Sequence, residues 1–243
     1  MRSRIFTGYY LSGVIIFPRP FLSSRKQFLT DRRKTSSSSL SIRQRGVSCV
    51  VSGHIIRSMD LSIQKLSKAF NQRTVFKELT FDIESGSRFA ITGPNGSGKS
   101  TLLKILSGGL LPSAGHIQYS MNGQTVSDDL LYRYVHFVAP YNTVIEELSL
   151  PELFRLHHQL GLLKAFKRYA DWQARLEYPF DPERQIKTFS SGMKQRIKLG
   201  LALLDDRPLI MLDEPGSNLD VQGKAWLYHL LNQLSTSQTL IVA

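Results

Sequence analysis

A single cysteine, Cys49, stands in a chain of 243 residues. That excludes a disulfide framework, a cysteine-based metal site and a cysteine nucleophile, and it suits a reducing compartment. No stretch reaches the roughly 18 consecutive apolar residues of a membrane span, so any work at a membrane passes through a partner. Acidic residues are scarce at one end only. Residues 1–58 carry eleven basic side chains against Asp31 alone, whereas the other 185 residues carry 20 basic and 18 acidic ones. The formal charge of +12 is therefore a property of the amino-terminal segment, and no nucleic-acid partner is expected for the rest. With 42% hydrophobic residues the remainder can build a core, and the lack of an internal repeat argues against tandem units.

Residues 1–58 are rich in Ser and Arg, include the run Ser36-Ser37-Ser38-Ser39, and have the composition of a disordered extension. Ile5 to Phe17 is mildly apolar behind Arg2 and Arg4, as in a secretory leader, but Pro18 and Pro20 follow and no Ala-x-Ala site appears. A start of translation at Met59 is the favoured reading, because regular patterning begins directly after it. An organellar transit peptide is the alternative.

From Asp60 onward the chain alternates between strand and helix patterns. Leu61 to Leu66 and Val75 to Ile83 read as strands, separated from the next by the turn Glu84-Ser85-Gly86-Ser87. His116 to Tyr119 leads into an Asn122-Gly123 turn, and Tyr134 to Val138 is another short strand. Pro151 to Arg175 reads as helix, part of an inserted helical piece that Tyr178 to Pro182 closes. Met193, Ile197, Leu201 and Leu204 recur at helical spacing, and Pro208 to Leu212 is apolar throughout, as in a strand buried on both faces of a parallel sheet. A helix over Val221 to Leu234, with Ala225 or Trp226, Leu230 and Leu234 in one stripe, and a last buried strand over Thr239 to Ala243 complete the pattern.

The most informative segment is Gly93-Pro94-Asn95-Gly96-Ser97-Gly98-Lys99-Ser100-Thr101. It lies between the apolar run Phe89-Ala90-Ile91 and the helical pattern Leu102 to Leu106. Glycines there let the backbone approach an anion, so that successive N–H groups and a helix N-terminus face phosphates. Lys99 would reach the β- and γ-phosphates, and Ser100 would offer its hydroxyl to Mg²⁺. A second motif, Leu209 to Pro215, delivers Asp213 and Glu214 at a strand's carboxyl end, where open α/β sheets bind ligands. Asp213 would hold Mg²⁺ through water, while Glu214 would orient or deprotonate the attacking water. A third, Phe189 to Arg196, is a Ser-Gly turn opening a helix; Ser190 or Ser191 is its capping residue.

In this order and spacing the glycine-rich loop, the Ser-Gly helix start, Leu212-Asp213-Glu214-Pro215 and Ser217-Asn218-Leu219-Asp220 resemble the ATP-binding cassette (ABC) ATPase family. The resemblance runs from about Leu61 to Ala243. It implies an α/β P-loop NTPase with a mostly parallel core sheet, an antiparallel β subdomain and an α-helical insert at about residues 145–190. It also implies that ATP and Mg²⁺ are cofactors and that two subunits, as a homodimer, sandwich two ATP molecules. In such a dimer Ser190, Ser191 and Gly192 meet the partner's nucleotide, and Asp220 lies at the seam. Phe70 matches the aromatic that stacks on adenine, its alternative being a core residue. The helical insert would face a transmembrane permease, placing the protein on the cytoplasmic face of the membrane as the ATPase subunit of a transporter. A soluble non-transport ATPase and an ATP-binding regulator with weak or no hydrolysis are the alternatives. A GTPase or a small-molecule kinase fits less well, for want of an Asn-Lys-x-Asp base site or of the motif order.

The chain departs from the family pattern in three places. Tyr141 takes the position of a Gln that touches Mg²⁺ and water, and a phenol is a poorer neutral ligand than an amide carbonyl. Ser191 and Met193 stand where Gly and Gln are common. The switch His and further helices would lie beyond Ala243, so a domain truncated at its C-terminus, of low stability and slow turnover, is expected.

Overall fold

The computed structural model describes residues 58–71 and 73–243, together with the backbone of two strands upstream, β1 (Tyr9–Leu11) and β2 (Val14–Pro18). The reading of residues 1–58 as a disordered extension otherwise falls outside the described residues. Strands β3 (Met59–Phe70) and β4 (Arg73–Ile83) pair antiparallel, and β6 (Ala114–Met121) and β7 (Gln124–Val126) extend them into a four-stranded sheet of order β4-β3-β6-β7. The Asn122-Gly123 turn joins β6 to β7 with both residues at positive φ, 52° and 79°, the two-residue geometry that matches strand twist.

The second sheet contains β5 (Arg88–Thr92), β8 (Val135–Val138), β9 (Leu209–Leu212) and β10 (Thr239–Val242). These four run parallel in the order β5-β10-β9-β8, and β2 joins β5 antiparallel at the edge with β1 outside it. Helices flank the sheet: α1 (Lys99–Leu106), α2 (Leu150–Gln159), α3 (Tyr169–Arg175), α4 (Ser191–Leu203) and α5 (Val221–Gln233). All four residues of β9 are buried, and their alternation assigns them to two cores. Ile210 and Leu212 pack with the helical insert, α4 and α5, while Leu209 and Met211 pack with α1 and the antiparallel sheet. A strand read as one apolar run is thus divided by its two-residue period.

The structure departs from the sequence pattern where tertiary geometry intervenes. The helix expected from Pro151 to Arg175 is two helices, because Gly161 (φ 75°) and Leu163 (φ 54°) are left-handed and end α2. Its start is fixed by a capping box, in which Ser149 N–H and Oγ donate to Glu152 Oε2 at 2.8 and 2.9 Å. Leu163, Trp172, Leu176, Phe180 and Phe189 then fill the insert's core. The long strands β3 and β4 are irregular, with Lys65 and Glu78 at positive φ in mid-strand and register shifts between Ile63 and Ala69. Bulges of this kind bend a sheet. In α5 the buried stripe is Gly223, Trp226, Leu227, Leu230 and Leu231, so Trp226 rather than Ala225 faces inward.

Candidate functional site

Parallel strands bring their carboxyl ends to one edge, and two of the sequence motifs meet there. β5 feeds the glycine loop into α1, while β9, two strands away, delivers Asp213 and Glu214; adjacent strands are about 4.8 Å apart, so the two ends are about 10 Å apart. Gly98 is the N-cap of α1 at φ 96°, a left-handed position, and a Cβ there would stand 2.4 Å from Val75 Cγ1. Both constraints require glycine. Lys99 Nζ donates to the Gly93 and Pro94 carbonyl oxygens at 2.9 and 3.1 Å, folding the ammonium over the loop. Ser97 N–H donates to Pro94 O at 3.2 Å, and Leu102 N–H to Gly98 O at 2.8 Å. The Ser97 hydroxyl is buried without a hydrogen-bond partner. Asn95, Gly96, Ser100 and Thr101 complete the turn into the helix.

Asp213 is 2% exposed, anchored by its N–H on Val138 O at 2.8 Å. Glu214 beside it is exposed and sits at φ 46°, a left-handed position costing about 1–3 kcal/mol for a non-glycine residue. Three bonds hold the segment. Glu214 N–H donates to Ala243 O at 2.9 Å, Ser217 N–H donates to Glu214 O at 3.0 Å, and the buried Gln195 side chain donates through Nε2 to Pro215 O at 3.1 Å. The Ser100 hydroxyl and the Asp213 carboxylate are hard oxygens of the kind that could hold Mg²⁺. An orphaned hydroxyl and a lysine folded over its own loop fit a polyanion at the same place.

Tyr141, in the loop after β8, is held by Lys104 of α1, whose Nζ lies 3.9 Å from the ring centroid, and by an edge contact with Phe137 at 6.3 Å. Burial, with the nearby Asp213 charge, pushes its pKa up to about 12, so the phenol stays protonated at neutral pH. Lys198 of α4 clips the same loop, donating to the Ala139 and Asn142 carbonyls at 3.2 and 3.0 Å. Phe70 is the last residue of β3 rather than a loop residue, and it is 50% exposed with Lys68 Nζ 4.8 Å over its ring; it is not in the core. A recess of about 440 Å³ runs from Phe70 past Thr101 and Lys104 to Tyr141 and Asn142. A larger one of about 840 Å³, on the antiparallel sheet, contains none of the glycine-loop residues, so chemistry rather than size identifies the site.

Ser190 caps α4, its Oγ accepting from Met193 N–H at 3.3 Å. Ser190 and Ser191 are exposed and Gly192 is half-buried. A Cβ on Gly192 would meet Asn218 O at 2.7 Å, so this glycine permits a close approach to the loop before Asp220. Asp220 in turn caps α5 through Gly223 N–H at 2.7 Å. Sequence reasoning did not single out Lys104, Gln195 or Lys198. A buried Gln inside a helix becomes visible only once its neighbours are known.

A glycine loop at a helix start, an acidic strand end on the same sheet edge and a parallel core define a P-loop α/β nucleotide-binding domain. The profile described as "ABC transporter" matches residues 76–217, more than half of the chain, and the chain belongs to that family. It is 31% identical over 194 residues to the linearmycin resistance ATP-binding protein LnrL of Bacillus subtilis, covering 74% of this chain and 60% of that protein. It is 30% identical over 203 residues to the lipoprotein-releasing system ATP-binding protein LolD of Leptospira interrogans, covering 75% and 81%. The chain thus spans less than two thirds of the length of LnrL. Its fold is like that of the ATP-binding cassette MJ0796, solved as a dimer in a post-hydrolysis state with ADP and Pi, at TM-score 0.60 and 22% identity, covering 75% of this chain and 86% of that one.

Proposed function

We propose that the protein binds MgATP and hydrolyses it as the energising subunit of an ABC-type membrane transporter. The observation that carries this reading is the meeting of the glycine loop and Asp213-Glu214 at one sheet edge, with the capped Ser190-Gly192 helix start exposed elsewhere on the same chain. One surface holds nucleotide, and the other is available to a second subunit's nucleotide.

Lys99 and the loop amides bind the phosphates, Ser100 and, through water, Asp213 would hold Mg²⁺, and Glu214 orients the attacking water or accepts its proton. Bound Mg²⁺ neutralises phosphate charge. Phe70 stacks on the base, and Gly93 to Thr101 form the cradle. Ser190, Ser191 and Gly192 reach the partner subunit's nucleotide while Asp220 lines the seam, in keeping with the dimeric state of MJ0796. A groove of about 410 Å³ between β8, α2 and α4, rimmed by Ile145, Leu156 and Leu160 with Lys198 and Arg207 on its walls, offers a place for a permease. Among the described residues no helix is long and apolar enough to cross a membrane, and a permease would tether the chain to the cytoplasmic face.

A regulator that binds ATP with little turnover is the second reading, favoured by the protonated Tyr141 phenol beside Asp213. Glu214→Gln separates the two. In a hydrolase this variant accumulates an ATP-bound dimer on size-exclusion chromatography and loses turnover, whereas in a regulator wild type and variant dimerise alike. A variant that neither dimerises with ATP nor differs from wild type refutes the transporter reading.

A further inference from the structure

The segment after β9 holds an unusual backbone. Glu214 is left-handed at φ 46° although it precedes Pro215, and a residue before proline is normally pushed to the extended region. Such a conformation persists only where its surroundings over-determine it. Main-chain bonds from Glu214 N–H to Ala243 O and from Ser217 N–H to Glu214 O hold it from within the strand and turn. One side chain also reaches it: Gln195, 1% exposed on α4, donates to Pro215 O at 3.1 Å.

We propose that Gln195 is a positioning residue for Glu214: its amide fixes the Pro215 carbonyl and so keeps the preceding carboxylate aimed into the nucleotide site. The inference rests on the reading of Glu214 as the group that handles the attacking water. Gln195 suits the role for three reasons. Its amide is shielded from water, so the bond to Pro215 O meets little competition. It stands on the helix whose start carries Ser190 and Gly192, and Gly192 lies against Asn218 O, 2.7 Å from where its Cβ would be. The helix start and the Glu214 segment are therefore joined at two points, Gln195 to Pro215 and Gly192 to Asn218. A movement of α4 on meeting a second subunit's nucleotide would be passed to this subunit's own Glu214.

The test compares the full-length wild type with Gln195→Met, which keeps the length and removes the donor, and with Glu214→Gln. Three quantities are read: single-turnover hydrolysis with protein in excess over ATP, ATP affinity by titration, and amide hydrogen exchange at Ser217. Gln195→Met is expected to slow the single turnover about threefold to tenfold, the range of one hydrogen bond. ATP affinity should stay within about twofold, because a group acting only in the chemical step leaves binding alone, and the Ser217 amide should exchange faster. Wild-type turnover and wild-type Ser217 protection in Gln195→Met overturn the proposal. So does a joint fall of rate, affinity and melting temperature, the signature of a packing role. If Glu214→Gln hydrolyses like wild type, the reading of Glu214 fails instead. In that case, or if turnover is too slow to follow, Ser217 exchange alone decides whether Gln195 holds the segment.

Discussion

The glycine loop and the Ser190-Gly192 turn are both short polar segments that open a helix, yet the chain treats them in opposite ways. At the first, Gly98 has no side chain to offer as a cap, the Ser97 hydroxyl is buried without a partner, and Lys99 turns back on two carbonyls. At the second, Ser190 caps its own helix, and Ser190 and Ser191 both lie exposed. In the proposed dimer the first segment holds this chain's own nucleotide, and the second, a finished helix end, meets a nucleotide that arrives with another molecule.

Three measurements can break or sharpen that contrast. Lys99→Ala should have the largest effect, weakening ATP binding by about a hundredfold, since it removes charge-assisted bonds to phosphate; fluorescent-nucleotide titration of the monomer reads it, and unchanged affinity would place the phosphates elsewhere. Ser190→Ala should leave monomer affinity alone and weaken ATP-driven dimerisation about tenfold, as one lost bond to phosphate implies. Sedimentation with and without ATP checks this, and a drop in monomer affinity would erase the distinction between the two helix starts. Phe70→Ala should reduce ATP affinity about threefold to tenfold through lost base stacking, with no change in affinity for inorganic triphosphate.

The smallest effect concerns pH and lies away from both segments. His136 is partly buried and pairs through Nε2 with Asp205 Oδ2 at 2.7 Å. Burial, opposed by that hydrogen bond, holds its pKa below the ordinary histidine value. Asp205 is also held low: burial pushes it up most strongly, but its bond and charge interaction with His136 and the backbone N–H bonds from Leu163 and Asp206 together outweigh this. Groups with depressed folded-state values stabilise the fold above their unfolded pKa and lose that contribution as pH falls. Melting temperature should therefore be level above about pH 7 and decline once the pH drops through about 6.5, the unfolded histidine value. A rise on acidification would mean that His136 is charged in the folded protein.

Much of this was legible in the sequence where a local rule governs the outcome. β9 follows from an apolar run, the Asn122-Gly123 turn from its need for positive φ, and the loop that opens α1 from its glycine spacing. Other features depend on neighbours distant in the chain. The break between α2 and α3 needs Leu163 in a left-handed conformation, which no propensity favours. The bulges at Lys65 and Glu78 arise from fitting β3 between β4 and β6. The bond from Gln195 to Pro215 spans twenty residues, and apolar periodicity has no sign for a buried amide. Phe70 illustrates a middle case, since an aromatic at a strand end reads equally as core or as platform until its exposure is known.

Lys99 carries a last consequence. With its ammonium already bonded to Gly93 and Pro94 carbonyls, arrival of a triphosphate exchanges two hydrogen bonds rather than adding new ones. Calorimetry should then record less heat than the number of phosphate contacts suggests, and the driving force shifts toward released water and counterions.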